Sequence, residues 1–126
     1  MSDPNSTHGQ LPERLGFRIV AVDDTGAEAV LDVDPDLMRT GEIVHGGVLF
    51  TLADAVAANL ALHSFAPHSA TTTDASIRFL KAVAGGQVRA RARIAHASGR
   101  TRLMEVQLTD DGGDLVGIYQ ANFLRL

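Results

Sequence analysis

The apolar positions between residues 46 and 63 cover nearly every face of a helix. Ala and Leu dominate this segment, no Pro or Gly interrupts it after Gly47, and Pro67 follows its end. These features predict one long helix that is buried on most of its sides. Asp54 and Asn59 break the apolar run, so we interpret it as a core helix and not as a transmembrane span.

Shorter apolar patterns on both sides of this helix predict strands. Residues 15–24 and 27–33 flank a turn signal and predict a hairpin, whereas residues 36–44 read as a loop with room for one helical turn. After the helix, four Thr-rich or alternating segments are separated by turns that contain Gly, at 70–83, 87–98, 100–110 and 114–126. We expect these four to form a C-terminal meander. One helix and about six strands fit an α+β fold, an antiparallel sheet wrapped around the helix.

Length, composition and charge narrow the class of protein. The chain has 126 residues, 45% of them apolar and 21% charged, which fits a single soluble globular domain. Residues 1–10 are polar and lack the basic start and apolar stretch of a secretion signal. We expect them to form a disordered tail, residues 11–126 to form the domain, and the protein to be cytoplasmic. The net charge of −4 and the aromatic content of 5% argue against nucleic-acid binding.

The residue types present exclude several kinds of site. Without cysteine the chain can form neither disulfides nor thiolate metal sites. Its five histidines, at positions 8, 45, 63, 68 and 96, lack the spacing of metal ligands, so we expect no metal. The sequence contains no nucleophile elbow, phosphate loop or dinucleotide fingerprint. We therefore expect a protein that works without a cofactor.

Asp54 is the charged residue that the predicted helix places in its apolar middle. Ionised carboxylates are costly to bury without a partner. Two interpretations follow from this. Asp54 is either a structural acid paired with an arginine or with hydroxyl groups across an interface, or it is a general base or nucleophile.

Gly46 and Gly47 stand where the helix should begin. A helix start exposes unpaired amides that can bind an anion or a developing oxyanion, and glycine lets a ligand approach the backbone closely. The alternative is a flexible helix start packed against a strand. His45, directly before the glycines, fits a structural hydrogen-bonding role more readily than a catalytic one. A helix-start amide two turns before Asp54 favours a functional role for the carboxylate.

The stretch HGGVLFTLAD, residues 45–54, resembles the signature of the hotdog-fold acyl-CoA thioesterases of the phenylacetate-degradation (PaaI) type, which are related to the 4-hydroxybenzoyl-CoA thioesterases. The resemblance extends in order and spacing from about Leu15 to Leu126. It implies the hotdog fold, in which an antiparallel sheet curls around a long central helix. It also implies hydrolysis of an acyl-CoA thioester, with CoA as part of the substrate and not as a cofactor.

The resemblance also implies roles for individual residues. Gly46 would donate the backbone N–H that polarises the thioester carbonyl, and Asp54 would be the base or the nucleophile. Thr72, two residues before Asp74, would help to position the attacking water. At the position where the family often has Asn or Gln, six residues before the motif histidine, this chain has Arg39. The candidate catalytic set is therefore Asp54, Gly46, His45, Thr72, Gly47 and Arg39.

Three basic residues are candidates for binding the nucleotide end of CoA, because the family often places cations after its third strand. They are Arg78, Lys81 and Arg100. Each of them also fits a solvated surface cation. The alternative function is a non-catalytic acyl-CoA binder in which Arg39 marks a lost site. A hydratase of the same fold fits less well, because the stretch DVDPDLM lacks the histidine of that branch.

The spacing of the two central groups predicts an oligomer. Asp54 lies roughly 12 Å along the helix from Gly46, at about 1.5 Å per residue, whereas a reacting carbon must lie about 3 Å from both groups. Two chains related by a two-fold axis can bring Gly46 of one chain near Asp54 of the other. We therefore predict a homodimer with composite sites, and the resemblance implies a homotetramer of two such dimers.

Overall fold

The computed structural model describes residues 15–34, 37–39 and 43–126, in which one long helix lies against a six-stranded antiparallel sheet. The elements in chain order are β1 (Phe17–Asp23), β2 (Gly26–Asp32), β3 (Met38–Arg39), β4 (Ile43–Val44), α1 (Gly46–Phe65), β5 (Ala70–Phe79), β6 (Gln87–Ser98), β7 (Thr101–Thr109) and β8 (Leu115–Arg125). The predicted α+β fold of one helix and an antiparallel sheet is confirmed. The predicted tail, residues 1–10, lies outside the described residues.

The order of strands in the sheet differs from the expected meander. The order is β1-β2-β6-β7-β8-β5, so only the last three strands form a meander, and β5 pairs with β8 at the far edge. The residues expected to form a loop also contain a short ribbon, because Met38–Arg39 pairs with Ile43–Val44. The difference in strand order has a physical reason. Alternation of apolar residues determines which face of a strand is buried, but it does not determine which strand lies beside it.

The core lies between α1 and one face of the sheet. Leu52, Val56 and Leu60 of the helix are fully buried, as are Val106 and Leu108 of β7. The helix is long and apolar enough to cross a membrane, with 20 residues and a mean hydropathy of 1.5. It is nevertheless the central helix of the fold, because its buried side chains belong to the same cluster as those of the sheet.

The opposite face of the sheet is lined by paired charges. Arg89 and Arg91 of β6 both contact the Glu28 carboxylate on β2, with N–O distances of 3.0 and 2.7 Å. Arg93 contacts Glu105 on β7 at 3.0 Å. These arginines alternate with buried residues along β6, as the sequence predicts. Cross-strand ion pairs of this kind fix the register of neighbouring strands.

Two features leave one side of the molecule open. Strand β5 is ten residues long and, within the described part of the chain, its outer edge has no paired strand. On α1, the half-buried residues Thr51, Asp54, Ala58 and Leu62 are spaced by three or four positions and form one stripe. A long unpaired edge beside an open helix face is a surface that pairs readily with another chain.

Candidate active site

Asp54 is held by two hydroxyl groups of its own chain. Its Oδ1 accepts a hydrogen bond from the Tyr119 hydroxyl at 2.6 Å and a longer one from Thr72 Oγ1 at 3.4 Å. The donors lie on the paired strands β8 and β5. Among the residues that the structure describes, no group donates to Oδ2. The hydroxyl groups explain how an apolar helix accommodates a carboxylate, and they leave one carboxylate oxygen free.

The Tyr119 hydroxyl is a permanent hydrogen-bond donor to Asp54. The side chain is fully buried, and the ring of Phe50 meets the Tyr119 ring edge-on, with 5.6 Å between ring centroids. Burial, together with the neighbouring Asp54 carboxylate, raises the pKa of Tyr119 well above its ordinary value of 10. The hydroxyl therefore keeps its proton at neutral pH.

Tyr119 is the site residue that the sequence does not reveal. It is the single tyrosine of the chain, 65 positions from Asp54, and the alternation of β8 indicates only that its side chain points inward. One signal was available, since a buried tyrosine hydroxyl normally finds a polar partner and Asp54 is the one carboxylate in the apolar helix. The pairing of β8 with β5 beneath the helix decides that the two side chains meet.

Within the described residues, one backbone amide at the helix start has no acceptor. His45 is the N-cap of α1, and its Nδ1 accepts a hydrogen bond from the Gly47 N–H at 3.1 Å. The imidazole of His45 therefore makes a structural hydrogen bond, and the Gly47 amide is occupied. The Gly46 N–H has no acceptor within the described part of the chain. A ligand could therefore accept a hydrogen bond from the Gly46 N–H, whereas the Gly47 N–H is already bonded to His45.

A largely apolar pocket of ≈ 370 Å³ lies beside this free amide. Gly46 forms part of its wall together with Leu49, Phe79 and Val83. The ring of Phe79 covers the glycine so closely that a Cβ atom added there would lie 3.0 Å from Phe79 Cζ. A side chain at this position would enter the pocket and require the Phe79 ring to shift by a few tenths of an ångström.

The pocket and the carboxylate are separate within one chain. Asp54 is not part of the pocket wall, and eight residues of helix, roughly 12 Å, separate it from Gly46. Thr72 lies beside Asp54, and His45 and Gly47 lie beside Gly46. The candidate residues therefore form two half-sites at different points along α1.

Lys81 lies on the pocket wall but its charge is already paired. Its Nζ donates to Asp110 Oδ2 and to Asp114 Oδ2, both at 2.7 Å. These carboxylates raise the pKa of Lys81 above its ordinary value of 10.5. A phosphate of CoA would have to compete with two acids for this ammonium group.

Neither Arg78 nor Arg100 forms part of the pocket wall. Arg100 Nη2 donates to the Arg125 carbonyl oxygen at 2.9 Å. Arg78 is exposed on β5 and contacts no charged group of the described residues. The backbone of Arg39 pairs with Ile43 in the β3–β4 ribbon, and its side chain is outside the described part of the structure. The described part of the structure contains no group of three or more His, Asp or Glu side chains placed to hold a metal ion.

Comparison with known proteins identifies the family. Residues 41–117, more than half of the chain, match the profile of the Thioesterase superfamily. Over 116 residues the chain is 28% identical to a Mycobacterium tuberculosis H37Rv protein that carries the name of an esterase, Rv1847. The match covers 89% of this chain and 83% of that protein.

Solved structures agree with this match. The structure of Rv1847 superposes with a TM-score of 0.88 at 27% identity, covering 91% of this chain and 94% of that one. The conserved protein PA5202 of Pseudomonas aeruginosa gives 0.86 at 32% identity, with 91% and 92% covered. A variant of the phenylacetic acid degradation protein PaaI from Thermus thermophilus gives 0.85 at 26% identity, with 91% and 97% covered.

The fold, the helix-start motif and the family match define a hotdog-fold thioester hydrolase. Within that class the chain belongs to the Thioesterase superfamily, and it is similar to the PaaI protein of Thermus thermophilus. The family predicted from HGGVLFTLAD is confirmed.

Proposed function

We propose that the protein hydrolyses an acyl-CoA thioester to a free carboxylic acid and CoA. The observation that carries the proposal is the free Gly46 amide beside an apolar pocket, because an acyl thioester presents a carbonyl oxygen next to an apolar chain. Asp54 supplies the base or the nucleophile. The proposed reaction needs water and groups of the chain, and no cofactor.

The Gly46 N–H donates to the thioester carbonyl oxygen, on which negative charge grows as the carbon becomes tetrahedral. Asp54 then acts by one of two routes. It deprotonates a water molecule that attacks the carbon, or it attacks the carbon directly and gives an acyl anhydride that water hydrolyses. In both routes the C–S bond breaks, and CoA leaves as a thiolate that takes up a proton.

The active site in this proposal is shared between two chains. The separation of Gly46 from Asp54 within one chain supports this arrangement, as do the free edge of β5 and the open stripe of α1. A two-fold axis beside β5 would pair the two edges and bring Gly46 of one chain towards Asp54 of the other. Resemblance to the PaaI type supports a tetramer of two such dimers. We also propose that the protein works in the cytoplasm.

Replacement of Asp54 by Asn tests the proposal. The amide is nearly isosteric with the carboxylate, so the fold should persist, but it can act neither as base nor as nucleophile. We expect wild-type protein to release CoA from members of an acyl-CoA panel, followed with a thiol reagent, and Asp54→Asn to be slower by roughly a hundredfold or more.

Asp24→Asn is the matched control, because the Asp24 side chain is 98% exposed and its partner is His63 at the other end of the helix. This variant should keep wild-type turnover. Undiminished turnover in Asp54→Asn would contradict the assigned chemistry. Binding of acyl-CoA without release of CoA by the wild-type protein would contradict catalysis itself.

A further inference from the structure

The hydrogen bond from Tyr119 is the shorter of the two that hold Asp54 Oδ1. At 2.6 Å it is shorter than the 3.4 Å contact from Thr72 Oγ1 to the same oxygen. A hydrogen bond from a neutral hydroxyl to an ionised oxygen is roughly twice as strong as a neutral one. The Tyr119 side chain is fully buried and that of Asp54 is half-buried, so the donor holds the carboxylate from the closed interior.

We propose that Tyr119 is a positioning residue that gives the two oxygens of Asp54 different tasks. Oδ1 is held by the Tyr119 and Thr72 hydroxyls. Oδ2, which has no donor in the described part of the chain, acts on the water or on the thioester carbon. This inference rests on the proposed thioesterase reaction and adds to it a residue that touches neither substrate nor water.

The surroundings of Tyr119 suit a fixed donor. Its strand neighbours in register are Val106 on β7 and Ile77 on β5, and Phe50 of the helix packs edge-on against its ring. The ring therefore cannot follow the carboxylate if Asp54 rotates. Instead, the hydroxyl restrains rotation of Asp54 about its side-chain bonds. Since a displacement of about 1 Å at a reacting group can cost a hundredfold in rate, such a restraint affects catalysis directly.

Tyr119→Phe removes the hydroxyl and keeps the ring. We expect kcat to fall about tenfold while KM for the same acyl-CoA stays within about twofold, because the hydroxyl orients the reacting carboxylate and does not bind substrate. In an Asp54→Asn background the same change should cause no further loss. A purely structural hydroxyl would not produce this dependence on Asp54.

Val106→Ala serves as the control for loss of packing. Val106 is fully buried and lies opposite Tyr119 on β7, so its truncation leaves a cavity and lowers the midpoint of thermal unfolding. Its kcat, measured well below that midpoint, should match the wild-type value. We expect Tyr119→Phe to lose kcat without losing stability and Val106→Ala to lose stability without losing kcat. This pair of results would show that the Tyr119 hydroxyl positions Asp54 and does not act through packing.

The contact can also be observed without a Tyr119 variant. The chain has one tyrosine and no tryptophan, so its near-ultraviolet absorption reports on Tyr119 above the weak signal of Phe. A phenol that donates to a carboxylate absorbs at longer wavelength than one that donates to an amide. We expect the band to move to shorter wavelength in Asp54→Asn and to stay in place in Asp24→Asn. This measurement decides the contact even if Tyr119→Phe fails to fold.

The results separate this inference from the proposed function. Wild-type kcat in Tyr119→Phe, or an absorption band unmoved by Asp54→Asn, overturns the positioning role while an inactive Asp54→Asn leaves the proposed function standing. Full activity of Asp54→Asn overturns the proposed function and the positioning role together. A tenfold loss that disappears in the Asp54→Asn background supports both.

Discussion

Gly46 and Gly47 stand side by side at the helix start, but within the described residues only the Gly47 amide has a hydrogen-bond acceptor. The imidazole of His45 accepts from Gly47, which closes the first turn of α1 and leaves the preceding amide free. An N-cap normally satisfies only part of the helix start, so the remaining N–H is available to an acceptor from outside. Because the Gly46 amide has no acceptor within the described residues, it is the oxyanion donor of the proposed reaction.

Gly46→Ala should lower kcat/KM by tenfold or more, on the order of the cost of misplacing a reacting group. The added methyl group would lie 3.0 Å from the ring of Phe79, inside the pocket where the thioester must approach. Gly85→Ala is the control, since a Cβ there meets nothing within 4 Å. Steady-state kinetics of the two variants check the prediction, and equal losses in both would contradict it.

At the scale of elements, the outer face of the sheet is joined by charges and the inner face by apolar packing. Glu28 of β2 lies between Arg89 and Arg91 of β6, and the hydrogen bond from Arg91 is the main cause that lowers the pKa of Glu28 below its ordinary value of 4.5. A carboxyl group whose pKa falls on folding stabilises the folded state above its unfolded pKa. That contribution is lost as the pH falls through the folded value.

Glu28→Gln should therefore reduce the free energy of unfolding at pH 7 by no more than about 1 kcal/mol, as expected for an ion pair at the surface. The difference from wild type should be smaller at a second, more acidic pH below 4.5, as Glu28 becomes protonated in both states. Urea unfolding curves of both proteins at the two pH values measure this difference in the free energy of unfolding, because urea does not screen charges. A difference that persists at acid pH would point to packing instead.

At the scale of the whole molecule, one chain presents two half-sites and an unfinished surface. The edge of β5 is unpaired within the described residues, and the stripe of α1 that contains Asp54 is half-buried. An edge strand of ten residues is a liability unless another chain covers it. A two-fold partner would complete both the sheet and the site.

Complementation of two inactive variants tests this arrangement. Asp54→Ala and Gly46→Val chains should each be inactive alone. After refolding together, a mixed dimer carries one intact site and one doubly damaged site, so random pairing should restore about a quarter of wild-type activity. Native mass spectrometry would verify that mixed dimers form. If they form and activity does not return, the site lies within one chain.

The sequence by itself indicated the long helix, the six strands of the main sheet and several candidate site residues. A segment apolar on nearly every face predicted a buried helix, and alternation with turn residues predicted the strands around it. The motif at residues 45–54 identified the family and pointed to Gly46 and Asp54. These features are local, since they depend on spacing within about twenty residues, and spacing of that kind is visible in a linear chain.

The tertiary structure decided the features that depend on distant contacts. Strand β5 lies beside β8 and not beside β6, because pairing is chosen by the whole sheet. That placement brings Tyr119 and Thr72 together on one oxygen of Asp54, across 65 and 18 positions of sequence. The sequence suggested that the partner of this carboxylate belongs to another chain. Its hydrogen-bond donors come from the same chain, because only the folded sheet brings β8 beneath the middle of the helix.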